Sequence, residues 1–152
     1  MTCVRWIRRL MWLGALMSGL ACAQTPAPAA PSTDDSLFQA LGGNTGLVKL
    51  MDELMVRLLA DKRMNPFFKD VNQQHVKDQL VAQLCELSGG PCKLKGLNMK
   101  QVHAEMDITR GDFNALVEVL QDAMDANGIA FSAQNRLLAR LAPMHRDIIT
   151  KP

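Results

Sequence analysis

No tyrosine occurs in the chain, and both tryptophans, Trp6 and Trp12, fall within its first 23 residues. Beyond that point the aromatics are five phenylalanines: Phe38, Phe67, Phe68, Phe113 and Phe131. Acidic residues are missing from 1–23, which carry Arg5, Arg8 and Arg9. Of the 17 Lys and Arg, 14 therefore remain in 24–152 against 15 Asp and Glu, so the body is close to neutral. That balance argues against a nucleic-acid partner, whose binders neutralise phosphates with a basic face. Charged residues make up only 21% of the chain and hydrophobic ones 48%, which excludes a disordered tail. No run alternates with period two, so strands are not expected. A length of 152 residues suits a single domain.

The N-terminal stretch reads as an address. Arg5, Arg8 and Arg9 precede an apolar run from Leu10 to Leu20. A run of about a dozen residues suits the h-region of a secretory signal, whereas a spanning helix needs roughly 20. Ala21-Cys22-Ala23 offers a small-x-small cleavage site before Gln24, and Leu20-Ala21-Cys22 also loosely resembles a lipobox. Cleavage after Ala23, lipidation of Cys22 and a retained anchor all stay open; lipidation would be the protein's only membrane attachment if the signal is removed. Residues 24–34, with Pro26, Pro28 and Pro31 among alanines, read as an extended linker. The body over 35–150 is then exported, to a bacterial periplasm or envelope.

Export changes the meaning of the four cysteines. Cys3 leaves with the signal and Cys22 is removed or acylated, which leaves Cys85 and Cys92. An even pair in an oxidising compartment is a disulfide candidate. Gly89-Gly90-Pro91 between them supplies a helix stop and a chain reversal. A redox or metal-binding role lacks the close C-x-x-C spacing.

Every strong periodicity in the body is helical. Leu47, Leu50, Met51, Leu54, Met55, Leu58 and Leu59 follow an i, i+3, i+4, i+7 stripe, with Asn44 or Thr45 able to cap its start. Asn65-Pro66 opens a short turn bearing Phe67 and Phe68, with proline at the first helical position. Val76, Leu80, Leu84 and Leu87 mark a helix that stops at Gly89-Gly90. A polar loop over 93–98 leads to a short segment around Met99–Met106. Thr109-Arg110-Gly111-Asp112 has the form of a capping box and starts a helix ending at Asn127-Gly128. Ser132 is the expected cap of the last helix, and Pro143 its kink. The fold class is all-α.

A plain bundle accounts for four substantial helices, but the weakly helical interval from Lys93 to Met106 is long for a bundle connection. It also sets His103 beside Val102, between Met99 and Met106. A histidine on an apolar helix face is ordinarily a satisfied core residue. Here it coincides with paired phenylalanines at a tight corner and a methionine-rich interior, the materials for clamping a flat apolar cofactor.

Several stretches, in order, resemble the group I truncated haemoglobins, the 2-on-2 globins. They are Ser36-Leu37-Phe38-Gln39-Ala40-Leu41-Gly42-Gly43, Leu59-Ala60-Asp61-Lys62-Arg63, Pro66-Phe67-Phe68, Gly89-Gly90-Pro91, Met99-Lys100-Gln101-Val102-His103, Asp107-Ile108-Thr109 and Leu141-Ala142-Pro143-Met144-His145-Arg146-Asp147-Ile148. The resemblance implies a truncated-globin sandwich and a haem b cofactor, with His103 as proximal iron ligand and Phe68 flat against the porphyrin. Met99 joins the cofactor-binding set, and Lys93, Lys95 and Lys100 are candidates for the propionates. The ligand-side positions fall on Val76, Leu80 and Met55, none of which donates a hydrogen bond. Dioxygen in such a site carries negative charge on its outer oxygen and is retained by donors, so NO or CO is expected to bind well and oxygen to be held poorly. Gln79, Gln83 and His75 are expected at the rim or outside.

The function implied is reversible binding of a diatomic gas. The alternative is an envelope electron-transfer or NO-detoxifying haem protein with a reductase or other electron donor, in which Met55 gives a His/Met iron. A scaffold without haem is a third reading. His145 occupies the position at which one cyanobacterial subset links a histidine to a haem vinyl group.

Overall fold

The computed structural model describes residues 34–151, and every regular element within them is helical. The export signal read over 1–23 and nearly all of the linker read over 24–34 lie outside the described residues. Among the described residues no helix is long and apolar enough to cross a membrane.

Helix α1 (Ser36–Ala40) is little more than one turn, so it depends on its neighbours. Leu37 and Phe38 are buried, the Phe38 N–H donates to Ser88 O at 3.1 Å, and Arg136 donates to the Ser36 hydroxyl at 2.7 Å. Helix α2 (Gly43–Ala60) follows at once. Its start is earlier than a cap at Asn44 or Thr45 would give. Gly42, at φ +83°, turns the chain in the left-handed region, and no side chain caps the helix. The α2 stripe is the spine of the molecule, with Leu47, Leu50, Met51 and Leu58 almost wholly buried. It packs against α4 on one side and α6 on the other.

Helix α3 (Asn65–Phe68) is a single turn with Pro66 in its first positions, and the Asn65 amide anchors it by donating to Leu59 O at 2.8 Å. Helix α4 (Gln73–Leu87) begins where the Asn72 side chain accepts from the His75 N–H at 3.1 Å. It ends at Ser88, with Gly89 at φ +88° and the Gly90 N–H returning to Cys85 O. A Cβ at Gly89 would collide with the Asp34 carbonyl. The chain then doubles back, and the structure joins Cys85 to Cys92 as a disulfide with Cα atoms 5.7 Å apart.

Helix α5 (Met99–His103) opens with a capping box. The Asn98 side chain accepts from the Gln101 N–H at 2.9 Å, and the Gln101 side chain accepts from the Asn98 N–H at 3.1 Å. Helix α6 (Arg110–Ala126) opens with the Thr109–Asp112 box read from the sequence. Helix α7 (Phe131–Leu141) begins one residue before Ser132, which lies within its first turn and caps nothing. The Ala130 carbonyl accepts from Ala133 and Gln134, and the Gln134 amide docks this end by donating to Asp125 and Ile129 O. At Pro143 the helix tightens into a 3-10 turn (Ala142–Met144) before α8 (His145–Ile148). The final described residues return to α5's exit: Thr150 and Lys151 N–H both donate to Ile108 O, and the Thr150 hydroxyl accepts from the Ile108 N–H.

Candidate functional site

Helices α4 and α5 face each other across a gap. Between them lies a cavity of about 580 Å³, within the ~300–1,000 Å³ usual for cofactor sites. Its α4 wall is Val76, Leu80 and Leu84, two turns of one helical stripe. Phe67 and Phe68 close one side from α3, and Phe113, Leu116, Val117 and Leu120 close another from α6. Met99, Val102, His103 and Met106 form the α5 side, with Leu141, Met144 and Ile148 from the C-terminal turns. The mouth is marked by exposed lining residues, among them His75, Gln79, Lys95 and Leu97. The inner end is marked by buried ones: Met51, Leu54, Gln83, Leu84 and Leu120.

His103 is the last residue of α5 and is half-buried on the cavity wall. Its Nδ1 donates to Met99 O, 2.7 Å away and one helical turn back. A carbonyl can only accept, so Nδ1 carries the proton, and in the neutral ring Nε2 is left with a bare lone pair. A second chamber of about 70 Å³, bounded by Met64, Met106 and Ile108, adjoins the first across His103, Phe68 and Phe113. Among the described residues no three His, Cys, Asp or Glu side chains come together as a metal cluster. The lining carries two imidazoles, His103 on the α5 wall and His75 at the mouth.

The loop over 93–97 is fastened to α4 by polar contacts beside the disulfide. The Glu86 carboxylate accepts from the Leu94 N–H at 2.8 Å and from Lys93 Nζ at 3.0 Å. Those donors, the backbone N–H first, hold the Glu86 pKa below the ordinary glutamate value. Asp112 is lowered in the same way by the Thr109 hydroxyl and backbone N–H. Of the three lysines read as propionate partners, only Lys95 lines the cavity; Lys93 is paired with Glu86, and Lys100 is exposed outside it.

Phe68, Val76, Leu80, Met99, Lys95 and His103 are thus brought to one cavity. Met55 is not. It is buried, but α2 lines the cavity with Met51 and Leu54 instead. Met55 lies about 40° round the helix from Met51, on the same stripe, so spacing alone does not separate it from the lining residues; it is buried in the core instead. His145 is also outside the lining; its Nδ1 sits 2.9 Å from Ala142 O, and its ring meets Phe113 edge-on at 6.4 Å.

The reading of Gln83 needs correction. His75 and Gln79 stand at the mouth, the rim position expected of them, but Gln83 lines the buried end of the cavity. The signal was available: Gln83 follows Val76 by seven residues, about 20° short of two full turns, and therefore shares its face. Met51 and Met144 were likewise missed, because a methionine on a helical stripe looks like any other core residue.

Residues 36–150 match the model of the bacterial-like globin family. The group 1 truncated haemoglobin of Mycolicibacterium paratuberculosis is 31% identical over 115 residues, covering 76% of this chain and 85% of the relative. That of Tetrahymena pyriformis is 27% identical over 116 residues, covering 76% and 96%. The crystal structure of the Tetrahymena pyriformis protein in its Fe(III) form superposes with a TM-score of 0.72 at 27% identity, over 76% of this chain and 98% of that one. The chain belongs to the bacterial-like globins and, among them, to the group 1 truncated haemoglobins. The family implies a haem iron cofactor and gives the helices their arrangement of two over two.

Proposed function

We propose that the protein is a b-type haem globin that reversibly binds a diatomic gas, with His103 as the one protein ligand to iron. The observation that carries this reading is the His103 ring: with Nδ1 spent on Met99 O, Nε2 is the only lone pair it can offer. The residues around it fit a porphyrin. Phe67, Phe68, Val76 and Leu80 provide apolar surface for a flat ring, and Lys95 stands at the mouth for carboxylates. When bound, haem would supply an iron able to take up a small neutral gas. The chain's part is to fix the imidazole, exclude water and shape the opposite wall.

That wall presents hydrocarbon at Val76 and Leu80, which favours carbon monoxide or nitric oxide over dioxygen. The electron-transfer reading with a Met55 thioether on the iron is not favoured, because Met55 does not reach the cavity. The reading extends to export. The arginine-led apolar start supports it, as does the cysteine pair, since disulfides persist in oxidising compartments. A reductase or other electron donor would keep the iron ferrous.

The test is the absorption spectrum of the haem-loaded protein. Ferrous wild type should give a five-coordinate spectrum, and His103→Ala should lose stoichiometric haem uptake while keeping its far-ultraviolet helicity. Equal uptake by His103→Ala, or a chain with no Soret band at all, would defeat the reading. With no tyrosine anywhere and no tryptophan after Trp12, haem dominates the near-ultraviolet of the mature chain, so loading is easily scored.

A further inference from the structure

Among the described residues Gln83 is the one buried polar side chain on the cavity wall; its exposure is 8%. It stands where α4, α5 and the 3-10 turn converge, on the same face of α4 as Val76 and two turns further in. Its hydrogen bonds among the described residues go to two sulfurs. Nε2 lies 3.3 Å from Met144 Sδ and 3.6 Å from Met99 Sδ. A thioether is a weak acceptor, so the amide has left water without gaining an oxygen partner in exchange. The other polar residues of that α4 face, His75 and Gln79, are exposed at the mouth, whereas Gln83 is buried, where an apolar residue of equal length would avoid the cost altogether.

A buried amide resting on soft sulfurs is a donor held in reserve. Moving it off the thioethers sacrifices little, and the side chain can pivot about its terminal torsions without disturbing α4. An oxygen atom bearing partial negative charge is a far better acceptor than sulfur, and in a low-dielectric cavity the exchange is favourable.

We propose that Gln83 is a specificity-determining residue of this cavity, whose amide turns from the two methionines to the polar end of a bound diatomic gas. It rests on the haem reading above. It supplies what Val76 and Leu80 cannot: a donor for dioxygen, whose outer atom accepts a hydrogen bond better than that of carbon monoxide, so it narrows the wall's discrimination against dioxygen without reversing it. Oxygen retention then depends on one recruited donor and stays modest, consistent with the hydrocarbon surface beside it.

The experiment compares haem-loaded wild type with Gln83→Leu, and with Gln83→Met should the leucine variant fail to load. The C–O stretching frequency of the carbon monoxide complex reports any donor beside the ligand and needs no turnover. It should rise to that of a purely apolar site in the variant. The dioxygen dissociation rate should increase about tenfold or more while the carbon monoxide rate stays within about twofold, the factor expected from losing one hydrogen bond. Met99→Leu with Met144→Leu frees the amide and should slow dioxygen release. An unchanged C–O frequency overturns the proposal, and so does an equal rise in both dissociation rates, which would mark Gln83 as packing alone. Haem-loaded protein indifferent to Gln83→Leu defeats only this inference, whereas a chain that takes up no haem defeats the reading beneath it as well.

Discussion

The α2–α6 half of the molecule and the segment from Gly89 to Asp107 are held together by different forces. On the first side, Leu47, Leu50, Met51, Leu58, Ala123 and Met124 are essentially removed from water, and the helices are 18 and 17 residues long. On the second, α5 is five residues long and has no buried residue. Its loop is fixed by a disulfide, one carboxylate, a capping box and the Ile108–Thr150 bonds. Apolar burial stabilises the scaffold; local polar and covalent ties orient the segment that carries His103. Damage to one half should therefore appear as lost global stability, and damage to the other as a loosened site on an intact fold.

The sharpest way to expose that difference is to cut into the scaffold. Leu50→Ala removes a wholly buried side chain and should cost about 2–5 kcal/mol in equilibrium urea unfolding. The transition midpoint should fall for helicity and for the haem signal together. Removing the covalent tie should separate them. Cys85→Ser with Cys92→Ser opens a short loop worth about 2–3 kcal/mol on the chain-entropy model. Hydrogen exchange should accelerate most over 91–103, with faster haem transfer to an acceptor globin. A uniform rise across α2 and α6 would instead make the disulfide part of the scaffold.

The smallest effect is acid-dependent. Glu86 has a folded pKa below its ordinary value because the Leu94 N–H and Lys93 favour the carboxylate. Its contribution is therefore complete above the ordinary glutamate pKa and is lost as pH falls through the lowered one. Exchange at 93–97 should rise across that interval, and Glu86→Gln should raise it at neutral pH and flatten the acid dependence. Asp112 shifts in the same direction and loosens the start of α6 over a similar range, so the segment-resolved readout matters.

The two halves also differed in how far they could be read in advance. The α2 stripe, the Pro66 turn and the Thr109–Asp112 box are patterns of a few adjacent residues, and the chain folds as they direct. The start of α2 was misplaced because a left-handed glycine leaves no capping side chain to find, and Ser132 because tertiary docking through Gln134 set that helix's first turn. His103 was legible from its setting in a resembling stretch. The choice of Met51 and Leu54 over Met55 was not, since all three belong to one apolar stripe of α2 and nothing in their spacing separates them. Gln83 was legible by spacing, but its sulfur partners come from residues 16 and 61 positions away.

The brevity of α5 makes it a dependent element. One and a half turns cannot hold themselves in isolation. Its helical support comes from α8, and Thr150 and Lys151 grip Ile108 just beyond its exit. The wall that carries the imidazole is therefore only as firm as the far end of the chain, and whatever loosens those last residues slackens the socket.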